Sequence, residues 1–134
     1  MLICESCSEA IEQIDDLWVE WWKILEKGNK ALFAGGLRIC HSNNASPRAG
    51  YCNRYAKIEE KAHKHGAWLQ DLPGQSFYDP KKPIEYAVTY LRTLESGYHW
   101  LDDSFSKLPP AVLTLVANLD KQTRGQDNGS AGNV

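Results

Sequence analysis

The amino-acid sequence predicts an all-α fold, a bundle of four or five helices, and three observations carry that prediction. Apolar residues recur in steps of three and four in several separate stretches. Clusters of Gly, Pro, Ser and Asn divide those stretches. No stretch alternates apolar and polar residues in the manner of a half-buried strand.

The first helix is expected over residues 8–27. Ser8 suits the N-cap, and Glu9, Glu12, Asp15 and Asp16 favour the early turns through the helix dipole. Ile11, Ile14, Trp18, Trp21 and Leu25 form its stripe, broadened by Leu17 and Trp22, and Gly28-Asn29 is a stop signal. Residues 30–36 allow one further turn before Gly35-Gly36, and residues 37–50 read as irregular. A second helix is expected over 51–70, with Tyr51, Tyr55, Ile58, Ala62 and Leu69 on one side and Gly66 weakening its middle. A Pro- and Gly-rich loop over 71–82 leads to Pro83, which suits a first helical turn. The third stripe runs through Ala87, Leu91, Leu94, Tyr98, Leu101, Phe105 and Leu108, kinked or divided at Gly97. Pro109-Pro110 starts a last helix with Val112, Leu115, Val116 and Leu119 on one face, closed by Gly125. One helical domain over 1–125 and a disordered tail over 126–134 follow from this reading.

The chain has 134 residues, enough to bury a core without disulfides. Its formal net charge of −2 argues against a surface committed as a whole to nucleic acid. No segment approaches the ~18–20 apolar residues of a membrane span. Met1-Leu2-Ile3-Cys4-Glu5 has neither the basic start nor the apolar run of a signal peptide. A cytoplasmic, reducing location is therefore expected, where the four cysteines serve metal binding or burial rather than disulfides.

Cys4-Glu-Ser-Cys7 is a CxxC pair, and two thiolates at that spacing grip one zinc ion. Cys40 and Cys52 complete a four-cysteine site, with His41 as a substitute for one of them. The metal expected is Zn²⁺ in a structural role, because four protein ligands leave no open position for substrate. Two other readings stand beside it. Free Cys is among the most buried residue types, and a CxxC can serve redox chemistry, although its usual βαβ setting is missing here. A shared site also has a geometric condition. A helix over 8–27 is ~30 Å long, and the residues from 28 to 40 reach back ~43 Å when extended, so the chain must turn at Gly28-Asn29.

Arg48, Arg54, Lys57, Lys61 and Lys64 cluster around the second helix, with Tyr51, Tyr55, His63 and His65 among them. Such a patch meets nucleic-acid phosphates, or is simply a solvated charged face interrupted by Glu59 and Glu60. His63 and His65 are two apart and do not share a helical face. Trp21 and Trp22 are adjacent, so one of them is a candidate protein-interface anchor. The stripe from Ala87 to Leu108 can pair with a second copy. No nucleophile, phosphate-loop or metalloprotease motif occurs, and no pair of carboxylates is spaced for acid–base work, so no catalytic residue is assigned.

The order of these features resembles a group of small uncharacterised CxxC-containing helical proteins of actinobacteria and their phages. The resemblance rests on Cys4-Glu-Ser-Cys7 followed by Ile14-Asp15-Asp16-Leu17-Trp18, then Ala67-Trp68-Leu69, Tyr90-Leu91-Arg92 and Trp100-Leu101, with a proline before the last helix. It spans residues 4–124 in layout and does not extend to Cys40 or Cys52. What it implies is a phage-encoded or prophage-like helical protein that binds metal and sits in the host cytoplasm. The expected function is a non-catalytic, zinc-stabilised protein–protein interaction module acting on a host factor. The alternative is a zinc-stabilised nucleic-acid-binding or regulatory protein that uses the basic helix 51–65.

Overall fold

The computed structural model describes residues 2–25, 32–48, 50–64 and 66–132, excluding the side chains of Leu25, Lys64 and residues 124–132. The fold is not an all-α bundle. A four-stranded mixed sheet and three helices make it an α/β fold. Strands β1 (Leu17–Leu25), β2 (Leu32–His41), β3 (Ala67–Pro73) and β4 (His99–Trp100) lie in the order β3-β1-β2-β4. β1 runs antiparallel to both β2 and β3, and β4 is parallel to β2. The helices are α1 (Glu59–Lys64), α2 (Pro83–Ser96) and α3 (Leu108–Gly132).

Residues 17–25 of the predicted first helix form β1, one of the two inner strands of this sheet. Leu-Trp-Val-Glu-Trp-Trp-Lys-Ile-Leu is rich in β-branched and aromatic residues, which fit a pleated surface. Leu17, Val19 and Trp21 are buried on one face, while Glu20 is buried on the other between half-buried Trp18 and Trp22. A strand covered on both faces has apolar residues at odd and even positions, so its period of two vanishes from the sequence. The three–four spacing at Ile14, Trp18, Trp21 and Leu25 is a coincidence of that covering.

The expected turn over 30–36 and loop from 37 form β2, and Gly35-Gly36 is a bulge within it. The register passes from Glu20 opposite Arg38 to Trp22 opposite Gly35, leaving two β2 residues across from Trp21. Gly36 has φ +64, and a Cβ there would lie 3.3 Å from both Trp22 and the Tyr55 hydroxyl. The expected helix over 51–70 divides into a 3₁₀ turn at Arg54–Lys57, the short α1, and β3 after Gly66 at φ +76. The third helix begins at Pro83 as expected and is capped by Gly97. Tyr98–Lys107 leaves the helix for β4 and a 3₁₀ turn at Ser104–Lys107. Pro109 and Pro110 stand in the first turn of α3. The stop signal Gly28-Asn29, His65, and Asn133-Val134 at the end of the expected tail lie outside the described residues.

Leu17, Val19, Trp21, Leu37 and Ile39 share a core with Ala87 and Leu91 of α2 and Leu108, Val112, Leu115 and Val116 of α3. Trp21 packs edge-on against Tyr98 at 6.1 Å. Tyr55 covers the opposite face, stacking on Trp22 at 4.9 Å with the Arg38 guanidinium 5.0 Å from its ring. No helix among the described residues is long and apolar enough to cross a membrane.

The two edges of the sheet differ. The outer edge of β2 is closed along its length. Leu101 N–H donates to the Ala34 carbonyl at 2.8 Å, and Asp102 Oδ2 accepts from Gly36 N–H at 2.9 Å. Ser104 Oγ accepts from Leu37 N–H at 2.9 Å, and Glu5 N–H donates to the Ile39 carbonyl at 2.9 Å. β3 has no buried residue, and beyond its ladder to β1 the bond it makes among the described residues is from its own Gln70 side chain to the Leu69 carbonyl.

Candidate metal centre

The N-terminal CxxC sits in a tight hairpin rather than ahead of a helix. Cys4 N–H donates to the Glu9 carbonyl at 2.9 Å, Ile11 N–H to the Leu2 carbonyl at 2.9 Å, and Ile3 bridges Ala10. Ser8 N–H returns to the Cys4 carbonyl at 3.0 Å, and Ser8 itself has φ +67. Because Glu5 pairs with Ile39, this hairpin lies beside the end of β2.

β1 and β2 then explain how distant cysteines meet. Their antiparallel pairing sets His41 opposite Leu17, so the chain returns to the start of the fold at the ligand position. The loop after β2 carries Cys52 back to the same place. Ser6 Oγ donates to the Cys52 carbonyl, and Arg54 donates to the Ser6 carbonyl at 3.3 Å.

The ligand atoms of Cys4, Cys7, His41 and Cys52 all lie within 4.8 Å of one another. A tetrahedral zinc with three sulfurs and one nitrogen has ligand–ligand edges of about 3.6–3.8 Å, so the widest separation needs to close by about 1 Å. Cys7 Sγ is 3.2 Å and Cys52 Sγ 3.8 Å from His41 Nδ1. On the other side of the ring, His41 Nε2 lies 2.9 Å from the Ala10 carbonyl. A carbonyl can only accept, so Nε2 carries the proton and Nδ1 presents its lone pair to the three sulfurs.

The sulfurs are also surrounded by donors. Ser6 N–H points to Cys4 Sγ at 3.4 Å, and Ser46 Oγ–H to Cys52 Sγ at 3.2 Å. Burial disfavours ionisation of Cys4, but backbone donors of Cys7, Ser6 and His41 outweigh it and bring the thiol down to about 7. Cys52 is pushed up to about 11 by burial, against which the Ser46 hydrogen bond acts. Cys4, Cys52 and His41 are buried and Cys7 is half-buried, and all four cysteines are free of disulfides. This donor set fits a metal ion.

Cys40 is not part of the cluster. It stands next to His41 on an extended strand, where successive side chains face opposite ways. It therefore shares the Glu20–Arg38 face and is wholly buried, which pushes its thiol far up. His41 fills the fourth position instead. The signal was present in Leu37-Arg-Ile-Cys-His41: an apolar alternation through Leu37 and Ile39 puts His41, not Cys40, in phase with the core face.

The other expected residues scatter. Arg48 and Arg54 both pack on the Tyr51 ring, at 4.7 and 4.9 Å. Lys57 ends the 3₁₀ turn, Lys61 and Lys64 belong to α1, and no single helix 51–65 presents them together. His63 stacks on Trp68 at 4.1 Å. Trp21 is buried in the core, whereas Trp22 is half-buried and lines an open groove.

Comparison of the chain with protein-family models, with curated proteins and with solved structures finds no match.

Proposed function

We propose that this chain is a zinc-stabilised, non-catalytic module that acts by binding a protein partner. The observation that carries the metal part is the convergence of Cys4, Cys7, His41 and Cys52 on one point. Three thiolates and one imidazole are the ligands zinc prefers, and four of them close its coordination shell. The metal then joins the N-terminal hairpin, the end of β2 and the loop before α1, three segments with little regular structure between them.

The partner part is supported by the asymmetry of the sheet. Among the described residues β3 offers an open edge and its own Trp68 is 43% exposed, and an extended segment of a second protein adds to such an edge by main-chain bonding. Native mass spectrometry of protein purified without added metal tests the first part. One zinc per chain, lost on treatment with a strong chelator, is expected; a chain free of metal sinks it. For the second, slowed amide exchange confined to β3 is the expected mark of partner addition, and protection elsewhere sinks the strand-addition reading.

A second reading, nucleic-acid binding, is favoured by the Arg48–Tyr51–Arg54 cluster beside Cys52. It requires retention of an oligonucleotide at low salt that falls steeply as salt rises. A salt-independent or absent interaction removes it.

A further inference from the structure

On the sheet face opposite α2 and α3, a groove of about 640 Å³ opens between β1, β2, α1 and the segment after β4. Small-molecule sites span ~300–1,000 Å³ and are mostly apolar with a few placed polar groups. The walls here are Trp22, Ile24, Ile58 and Leu101, with bare backbone at Gly35 and Gly36. Ile58 is 49% exposed and Leu101 61%, although they come from distant parts of the chain and meet across this groove. None of these residues belongs to the metal cluster.

Two charged groups line the groove, Asp102 and Lys61. The Asp102 carboxylate is already held by three hydrogen bonds. It accepts from Gly36 N–H at 2.9 Å, from Ser104 N–H at 3.1 Å and from the Ser104 hydroxyl at 2.5 Å. Lys61 has no ion-pair partner among the described residues. Among the described residues, the charge on the lining left without a partner is therefore the Lys61 ammonium at the α1 side of the groove.

We propose that this groove binds an amphipathic monocarboxylate, a free aliphatic or aryl acid. Its apolar body lies against Trp22, Ile24, Ile58 and Leu101, and its carboxylate meets the Lys61 ammonium. The glycine floor admits the ligand close to the backbone, since a Cβ at Gly36 would crowd Trp22 and at Gly35 would lie 3.2 Å from Asp102. The bulge at Gly36 thus shapes the sheet and clears the groove.

The test is titration of the ¹⁵N-labelled full chain with dodecanoate below its micellar concentration, followed through the Gly35 and Gly36 amide resonances, with dodecanol and dodecylammonium as parallel probes. Saturation at one dodecanoate per chain is expected, with dodecylammonium binding at least tenfold more weakly. Lys61→Glu is expected to weaken dodecanoate at least tenfold and leave dodecanol unchanged, and Leu101→Asp to abolish both. Both substituted side chains are exposed, and circular dichroism and zinc content measured on the same samples separate loss of binding from loss of fold or metal. Unmoved Gly35 and Gly36 resonances overturn the proposal. So does equal affinity for all three probes that ignores Lys61→Glu. A leucine-terminated peptide binding more tightly than dodecanoate would assign the groove to a protein C-terminus and also overturn it.

Discussion

The imidazole of His41 is fixed at both nitrogens, by the Ala10 carbonyl at Nε2 and the Cys7 sulfur at Nδ1. Its neighbour Cys40 is buried on the far side of the same strand. The two residues should therefore separate cleanly on substitution. His41→Ala removes a ligand and is expected to lower zinc affinity by more than about 100-fold, beyond the range seen when only a ligand's outer partner is lost. Cys40→Ala is expected to keep one zinc per chain and cost about 1 kcal/mol for the lost burial. A competition titration with a zinc-binding dye checks both, and loss of metal in Cys40→Ala contradicts the assignment. Glu20 carries a different prediction. It is fully buried, burial raises its pKa, and Oε2 has no hydrogen-bond partner among the described residues while Oε1 accepts from Tyr55 N–H. A carboxyl with a raised folded pKa favours the native state below its unfolded value and loses that contribution as pH rises towards the folded one. Glu20→Gln should accordingly raise the melting temperature at pH 7 and do so less at pH 4.5. An equal change at both pH values would show that the charge is not the cause.

The elements show which parts of the fold were legible. α2 was, because Pro83 marks its start, and its inner residues Ala87 and Leu91 repeat at helical spacing against α3. β1 was not, because Trp18, Glu20 and Trp22 are covered by the Tyr55 segment while Leu17, Val19 and Trp21 are covered by the helices. Covering on both faces puts apolar residues at odd and even positions of the nine-residue strand alike, and helix and strand then differ mainly in propensity. The cluster residues Cys4, Cys7 and Cys52 were legible as residue types. The fourth was ambiguous, since reading residues 37–50 as irregular hid the alternation that selects His41. Gly74 was seen only as a loop former, yet the 3₁₀ turn it opens passes directly over the start of β1. A Cβ there would fall 1.9 Å from the Ile14 carbonyl oxygen and 2.8 Å from Leu17 Cβ. Both neighbours are buried and one is backbone, so the turn must move away from the sheet. Gly74→Ala is expected to destabilise by about 3 kcal/mol, read as a lower urea midpoint with an unchanged slope. A midpoint equal to that of the parent chain would contradict this packing.

Over the whole molecule, stability comes from two sources of different character. The helices and the inner sheet face share a continuous apolar core, which Cys4 and Ile11 of the hairpin and Cys52 of the loop also join. The hairpin over residues 2–11 and the loop from Ser42 to Asn53 are tied to the strands by backbone bonds, among them Glu5 to Ile39 and Ser42 to Asp16. The four donors of the candidate metal site come from these two segments and from the end of β2. If the site holds zinc, its removal should open the protein first around the ligands, because those segments lose their direct tether while the helices keep their packing. Hydrogen exchange before and after chelation reads this directly. Amides of residues 2–11 and 42–53 are expected to lose protection by at least about tenfold, while those of α2 and the first turns of α3 keep theirs. The bonds from Glu5 to Ile39 and to Lys107 link the hairpin to β2 and to the turn before α3. Loosening is therefore expected to reach beyond the hairpin: the outer edge of β2 near Ile39 should exchange faster as well, with the β1–β3 ladder unaffected. Uniform loss of protection across all three helices would instead mean that the core cannot stand without the metal, and that the cluster is a condition of folding for the entire chain.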